Sequence, residues 1–282
     1  MNTESKELVT WRRGQWGLAG LGIVVALIAL APYLLMFVTS LKPAGELFSE
    51  PSQILPREWT WSNYIDVWSA APVAEYLWNS IVIAGSATAI VLVCAVPAAY
   101  YVARHRFRGR AVFVAFAVIT QMIPSSVVIT GIYREVVAVG LVNTQLAVII
   151  IDAGFTVAFA LLILIGSFRA IPEEIEEAAQ LDGASRLRTL FSVALPLTGP
   201  GLVTAAVFTF VGVWNEYIVA LTLLSDSEKL PISVGITDFV GRTEIQYQFM
   251  FAAALFAVVP IVMLFALVEK RLASGITAGA TK

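Results

Sequence analysis

Residues 172–196 read PEEIEEAAQLDGASRLRTLFSVALP. They form a charged, amphipathic island between two apolar runs, 144–168 and 198–223, each long enough to cross a membrane. Pro172 suits the first turn of a helix, where its missing N–H costs nothing. Glu173, Glu174, Glu176 and Glu177 crowd that turn, at the end where the helix dipole favours negative charge. Asp182-Gly183 reads as a break, because glycine supplies the left-handed conformation that many helix ends need. A second short helix from about Ala184 carries Arg186 and Arg188 on one side, with Leu187, Leu190, Phe191 and Val193 as its apolar face. Pro196 is expected to break the chain before the next span. Such a hairpin, tied at both ends to membrane helices, can lie in the membrane interface or fill a groove on a partner. Its charged face is mainly acidic, which disfavours anionic lipid and favours a protein.

Composition sets the rest of the frame. Over 282 residues the chain is 59% hydrophobic and 13% charged, with a mean hydropathy of +0.83, too apolar for a soluble domain of this size. A net charge of −2 provides no basic field for nucleic acid. The single cysteine, Cys94, lies in an apolar run and excludes an intramolecular disulfide. The single histidine, His105, sits among Arg104, Arg106, Arg108 and Arg110, with no second ligand at a metal-site spacing. It reads as part of a solvated basic loop, and no metal site is expected. No internal repeat or low-complexity run is evident.

Six segments reach membrane-spanning length, near 16–39, 77–103, 111–133, 144–168, 198–223 and 249–269. The expected architecture is an all-α membrane protein of six transmembrane helices. An N-terminal segment 1–15 precedes a six-helix transmembrane body 16–269, and a tail 270–282 follows. The first span is too long for a typical signal-peptide core and reads as uncleaved. Pro32, Pro97, Pro124 and Pro260 interrupt the runs, which membrane helices tolerate. With both termini cytoplasmic, the inner segments hold 13 of the lysines and arginines and the outer loops hold 5. That bias places the 172–196 island in the cytoplasm, with the membrane lipid around the six spans.

The outer loop 40–76 and the start of the second span carry Trp59, Trp61, Trp68 and Trp78 with Tyr64 and Tyr76. They read as an interfacial belt or as a docking surface for an external partner. Polar groups inside the spans are costly in hydrocarbon and face a cavity or a partner. Gln121, Asp152, Asn215 and Glu216 are the candidates for a solute pathway, with Asn79 near the outer end of the second span. Hydrogen bonding between helices is the competing explanation.

The island carries a resemblance. Glu177-Ala178-Ala179, then Gly183, Val193 and Leu195-Pro196 at their spacing, resemble the EAA motif of permease subunits in bacterial ATP-binding-cassette (ABC) importers. Val193 stands where isoleucine is more usual. Ala99–Arg110 (AYYVARHRFRGR) with Gln121–Pro124 (QMIP), and Trp214-Asn215-Glu216-Tyr217, are similar to segments of the sugar-importer permeases. Gly275–Lys282 (GITAGATK) resembles the tail of the maltose-permease type. The likeness runs from about residue 20 to the end.

The resemblance implies a type I ABC importer permease fold and a di- or oligosaccharide importer. It implies a second, different permease, two ABC ATPase subunits and an extracytoplasmic sugar-binding protein. In the family the EAA hairpin seats in a cleft on the ATPase, so Glu177, Ala178, Ala179, Gly183, Leu195 and Pro196 are the implied coupling residues. A solvated charge run is the preferred reading of Glu173, Glu174 and Glu176. The tail positions Thr277, Ala278, Gly279 and Lys282 are implied to touch the ATPase, against the alternative of a mobile polar end. The loop 225–248 matches by position one that reaches the binding protein. The chain has no G-x-x-x-x-G-K-[ST]. No catalytic residue and no cofactor of its own are therefore expected, ATP and Mg belonging to the partner ATPase. The outer loops hold ten acids against five bases, which weakly disfavours an anionic solute. The alternatives are a permease for another polyol or a glycerophosphate-type solute, a membrane scaffold that only docks an ATPase, and a secondary transporter. The last is disfavoured by the lack of repeats and of central ion-coupling acids.

Overall fold

Hydrocarbon offers no partner for a bare N–H or C=O, so a chain this apolar must satisfy its backbone in helices. The computed structural model describes residues 3–46, 53–241 and 245–280. Lys282 of the expected tail contact lies outside the described residues, as do Glu50, Arg242 and Glu244 of the loop charges. Among the described residues there is no β-strand, only an isolated bridge between Val240 and Ile245. Four helices are long and apolar enough to cross a membrane: Gly20–Ser40 within α1 (Thr3–Ser40), α3 (Val73–Arg104), α6 (Gln145–Arg169), and Tyr247–Glu269 within α13 (Tyr247–Ala280). Two bent pairs make six if each pair is one span.

Those bends correct the sequence reading. The expected third span, 111–133, is α4 (Arg110–Thr120) and α5 (Ser125–Ala138), meeting at 97°. Pro124 opens α5 in an extended conformation, and the residue before a proline avoids the helical region, so the chain turns at 121–124. The expected fifth span, 198–223, ends its main helix early: α10 (Gly199–Trp214) stops at the Asn-Glu-Tyr sequence and α11 (Ile218–Leu223) follows. Pro196 does not break its helix. The segment Arg186–Leu197 continues through it, and the 80° bend comes at Thr198. Its parts are α8 (Arg186–Thr189), a π-helical turn at Leu190–Ala194, and α9 (Leu195–Leu197). Leu195 N–H reaches back to Leu190 C=O, five residues away.

The chain divides into two compact units. One comprises the described parts of 1–71 with 239–256, the other those of 72–238 with 257–282. In the first, Asn63 on α2 (Asn63–Ala70) donates to the carbonyls of Ser40 and Lys42, at 2.8 and 3.0 Å, and so closes the end of α1. The Trp68 and Tyr64 rings pack on Phe256, 4.7 and 5.8 Å between centroids. Trp59 and Trp61 remain exposed, as a belt requires.

The second unit is built on α3, α6 and α10, which pack on one another. Ala84, Ala87, Val91, Ala95 and Ala99 place a buried stripe of small residues along one face of α3. Small residues let helix backbones approach where no hydrophobic force drives association. At one end of this unit, Asn79 donates to the carbonyls of Glu228 and Leu230, at 2.8 and 3.0 Å, and Ser80 accepts from Ile232 N–H. Asn79 thus holds the 224–238 loop and α12 (Ile232–Gly235), a structural role. Tyr76 is fully buried there, its hydroxyl on Asp238 and Ser227, so it is no part of an aromatic belt.

A Cβ on Gly201 of α10 would coincide with the side chain of Ser167 on α6. Overpacking of this kind costs about 1–3 kcal/mol. Gly201→Ala is therefore expected to lower the thermal melting point of the purified protein in detergent, and Ser167→Gly in the same chain to restore it.

Candidate functional site

The hairpin is one centre of interest. Its first helix, α7 (Glu173–Leu181), ends in a Schellman turn, in which two backbone N–H groups beyond the helix reach back to its last free carbonyls. Ala184 N–H bonds Ala179 C=O and Gly183 N–H bonds Gln180 C=O, both at 3.0 Å, with Gly183 at φ +86°. Any Cβ in that conformation is strained by about 1–2 kcal/mol. Ser185 then caps α8 by accepting from Arg188 N–H at 3.3 Å.

The two neighbouring glutamates face opposite ways. Glu177, Ala178 and Gly183 are exposed and Ala179 is half-buried. Glu176 is 4% exposed, which corrects its reading as part of a solvated charge run. Its Oε1 accepts from Arg104 Nε and Nη2 at 2.8 and 2.6 Å, and its Oε2 accepts from the Tyr100 hydroxyl at 2.7 Å. Arg104 also donates to Ile171 C=O, and Tyr100 packs edge-on against Phe168 at 5.4 Å. One carboxylate thus joins the end of α3, the end of α6 and the hairpin. His105 stacks on Tyr101 at 4.5 Å, and its Nε2 lies 3.1 Å from Arg186. The concavity beside this joint is lined by charged and polar groups, among them Glu173, Glu177, Gln180 and Arg186, and three apolar side chains of the hairpin also stand open. Leu181 is 89% exposed, with Leu187 and Phe191 also open, whereas Leu190 of the expected apolar face is buried. Leu195 is half-buried and Pro196 exposed.

The other centre is a cavity of about 190 Å³ where both helix breaks meet α6. Thr120, Gln121, Ile123 and Ser125 line it from the first break, Asp152, Phe155 and Thr156 from α6, and Gly212, Val213 and Glu216 from the second. Three of the four expected pathway residues are therefore together. Asn215 is not: it is exposed, and its amide turns back to Val211 C=O at 2.8 Å, closing α10. Glu216 caps α11, accepting from Val219 N–H at 2.9 and 3.0 Å and from Ala220 N–H at 3.3 Å. Gln121 donates to Phe155 C=O at 3.1 Å. Ser233 of the following loop donates to the Glu216 carbonyl at 2.8 Å, so loop and break are linked.

Residues 95–277 match the family described as binding-protein-dependent transport system inner membrane component. The chain belongs to that family. The permease is 32% identical to the inner membrane ABC transporter permease protein YcjP of Escherichia coli, over 91% of this chain and 92% of that one. It is 33% identical to the trehalose/maltose transport system permease protein MalG of Thermococcus litoralis, over 92% of this chain and 94% of that one. In fold it is similar to a bacterial ABC transporter involved in the import of the acidic polysaccharide alginate, with a TM-score of 0.76 at 24% identity. That match covers 96% of this chain and 98% of that one. It is thus a type I permease fold in a multi-pass inner membrane component.

Sequence reasoning missed Tyr100 and Arg104 as site residues and misplaced Glu176. The only signal was a basic residue at a helix end facing a doubled glutamate 72 positions on, too remote to pair by inspection. Of the implied tail positions, Thr277, Ala278 and Gly279 lie on the helical backbone of α13, which runs to Ala280.

Both members of the Arg104–Glu176 pair are less than a tenth exposed. Removing one partner of such a pair costs about 3–5 kcal/mol, because the other charge stays buried alone. Arg104→Ala is expected to open the hairpin to trypsin at Arg186 and Arg188 while the spans stay folded. The double variant Arg104→Met, Glu176→Leu should be cut more slowly than either single one.

Proposed function

We propose that this permease is a transmembrane subunit of an ATP-driven importer of di- or oligosaccharides, coupled to a separate ATPase through the 172–196 hairpin. The observation that carries the reading is the split at Glu176-Glu177. One carboxylate is locked inward onto α3, while Glu177, Ala178 and Gly183 stand free beside exposed Leu181, Leu187 and Phe191. An exposed apolar patch rimmed by charge is the surface of a protein-docking element. Ala178 and Ala179 permit close approach, the Gly183 turn sets the angle, and Glu177 is placed to pair with a basic group of the ATPase. Leu195 and Pro196 lie in the helix that leads from the docked hairpin to the bend before α10.

In this reading both termini and the hairpin are cytoplasmic, as the excess of lysine and arginine at that end supports. The assembly holds a second, different permease, two ATPase subunits that bind ATP and Mg, and an extracytoplasmic sugar-binding protein. Residues 1–15, 16–269 and 270–282 act as terminal segment, permease body and tail, with Thr277, Ala278, Gly279 and Lys282 toward the ATPase. Gln121, Asp152 and Glu216 lie on the solute path, with Asn215 supporting that wall. The MalG relative, named for trehalose and maltose, supports a sugar as the solute.

Gly183→Asp is expected to abolish sugar uptake in cells while the permease remains in the membrane at wild-type amount. Normal uptake would remove the coupling role. Orientation is checked separately in a Cys94→Ala background with a membrane-impermeant maleimide applied to spheroplasts. A cysteine at Ser227 should react from outside and one at Ser185 should not.

A further inference from the structure

In a membrane helix, a carboxyl group without a partner is among the costliest features a sequence can carry. Asp152 is one. It is 2% exposed, and its Oδ1 has no hydrogen-bond partner. The residue lines the 190 Å³ cavity, whose wall holds a second carboxylate, Glu216, the amide of Gln121 and the hydroxyls of Thr120, Ser125 and Thr156. No lysine, arginine or histidine lines it. Glu216 already accepts three backbone hydrogen bonds, and Gln121 directs an amide N–H to Phe155 C=O, which leaves Asp152 Oδ1 without a partner. Thr156 spends its hydroxyl proton on the carbonyl of Asp152 itself, at 2.8 Å.

Two further features argue against a simple packing defect. Both interruptions of the spans open on this one cavity, and irregular backbone at membrane depth is tolerated where it is buried in protein or lines a water-filled space. The volume is also below the roughly 300–1,000 Å³ of clefts that enclose whole drug-sized ligands. It suits one ring of a larger solute, with Phe155 as its apolar wall.

We propose that this cavity is a solute subsite specific for a non-anionic sugar ring, with a ring hydroxyl donating to Asp152 Oδ1. The proposal rests on the reading of the chain as a sugar permease and adds the charge class of the cargo. With two acidic groups and no cation among the described lining residues, nothing in the cavity would pair the charge of a uronate or sulfonate. The two acidic groups accept from a neutral polyol and tolerate a protonated amine. Asp152, not the helix-capping Glu216, is the residue that sets this selectivity, because its buried Oδ1 has no partner in the protein while both Glu216 oxygens already accept from backbone N–H groups. The linked Ser233–Glu216 contact places the subsite beneath the loop through which a solute would be handed over.

The test uses the assembled transporter with its binding protein in proteoliposomes, against maltose, trehalose, diacetylchitobiose, a glucosamine disaccharide and a galacturonate disaccharide. Stimulation of ATP hydrolysis identifies which of these the assembly accepts. If none stimulates, it is sugar import that fails, a result distinct from failure of the Asp152 subsite. Dicyclohexylcarbodiimide labelling of Asp152, mapped by peptide mass spectrometry, then reads the subsite directly. The stimulating neutral or amino sugar should slow labelling at Asp152 at least threefold and the galacturonate disaccharide should not. Asp152→Asn should raise the sugar concentration for half-maximal uptake about tenfold at similar maximal rate. Three results would each overturn the proposal: labelling indifferent to every sugar, protection by the galacturonate disaccharide, or protection by sodium chloride equal to that by sugar. Complete absence of labelling with or without sugar would do the same, since the carboxyl would then be capped by protein.

Discussion

A bilayer cannot hydrogen-bond a peptide group, and the whole arrangement of this permease depends on that constraint. Unbroken helices meet it on their own, as α3 and α6 do. Where the chain leaves helical geometry inside the apolar body, side chains take over. Asn215 closes the last turn of α10, Glu216 opens α11, and Gln121 crosses to the backbone of α6. The breaks are not scattered. Both converge on one wall of α6, so the polar groups that repair them also line a polar cavity within the apolar body.

The same economy operates at the hairpin. A nine-residue helix such as α7 has little stability alone, since most helical stability in proteins comes from packing. Arg104 and Tyr100 supply the anchorage by gripping Glu176, while Arg104 also donates to Ile171 C=O and Phe168 backs Tyr100. The grip is a buried ion pair with further hydrogen bonds, so the hairpin is tied to the ends of α3 and α6, as the coupling role proposed above requires. The neighbouring Glu177 stays exposed, available to the partner proposed above. Two adjacent, chemically identical residues thus serve opposite sides of one joint.

Much of this was legible in the sequence. Six apolar runs, the hairpin between the fourth and fifth of them, and the glycine turn at Gly183 all come from hydropathy and local propensity. The mid-span breaks were not legible, because QMIP and WNEY are short and hydropathy windows average across them. Proline gave an ambiguous signal: Pro124 stands at the start of a helix, after a break, while Pro97 and Pro196 lie inside theirs. For the site, intramembrane polarity picked out Gln121, Asp152, Asn215 and Glu216; three of them line one cavity, and Asn215 turns its amide back to Val211 C=O. It could not tell a capping amide from a lining one. Glu176 was misread because its partner lies in a distant helix, and a charge run gives no hint of which member turns inward.

The coupling role requires that the free face of the 172–196 hairpin meet an ATPase. The most direct measurement places a photo-crosslinking amino acid at Ala178 and irradiates native membranes. One dominant adduct is expected, with a soluble subunit that carries a phosphate-binding loop. Adducts only with lipid or with another membrane-spanning chain would contradict it.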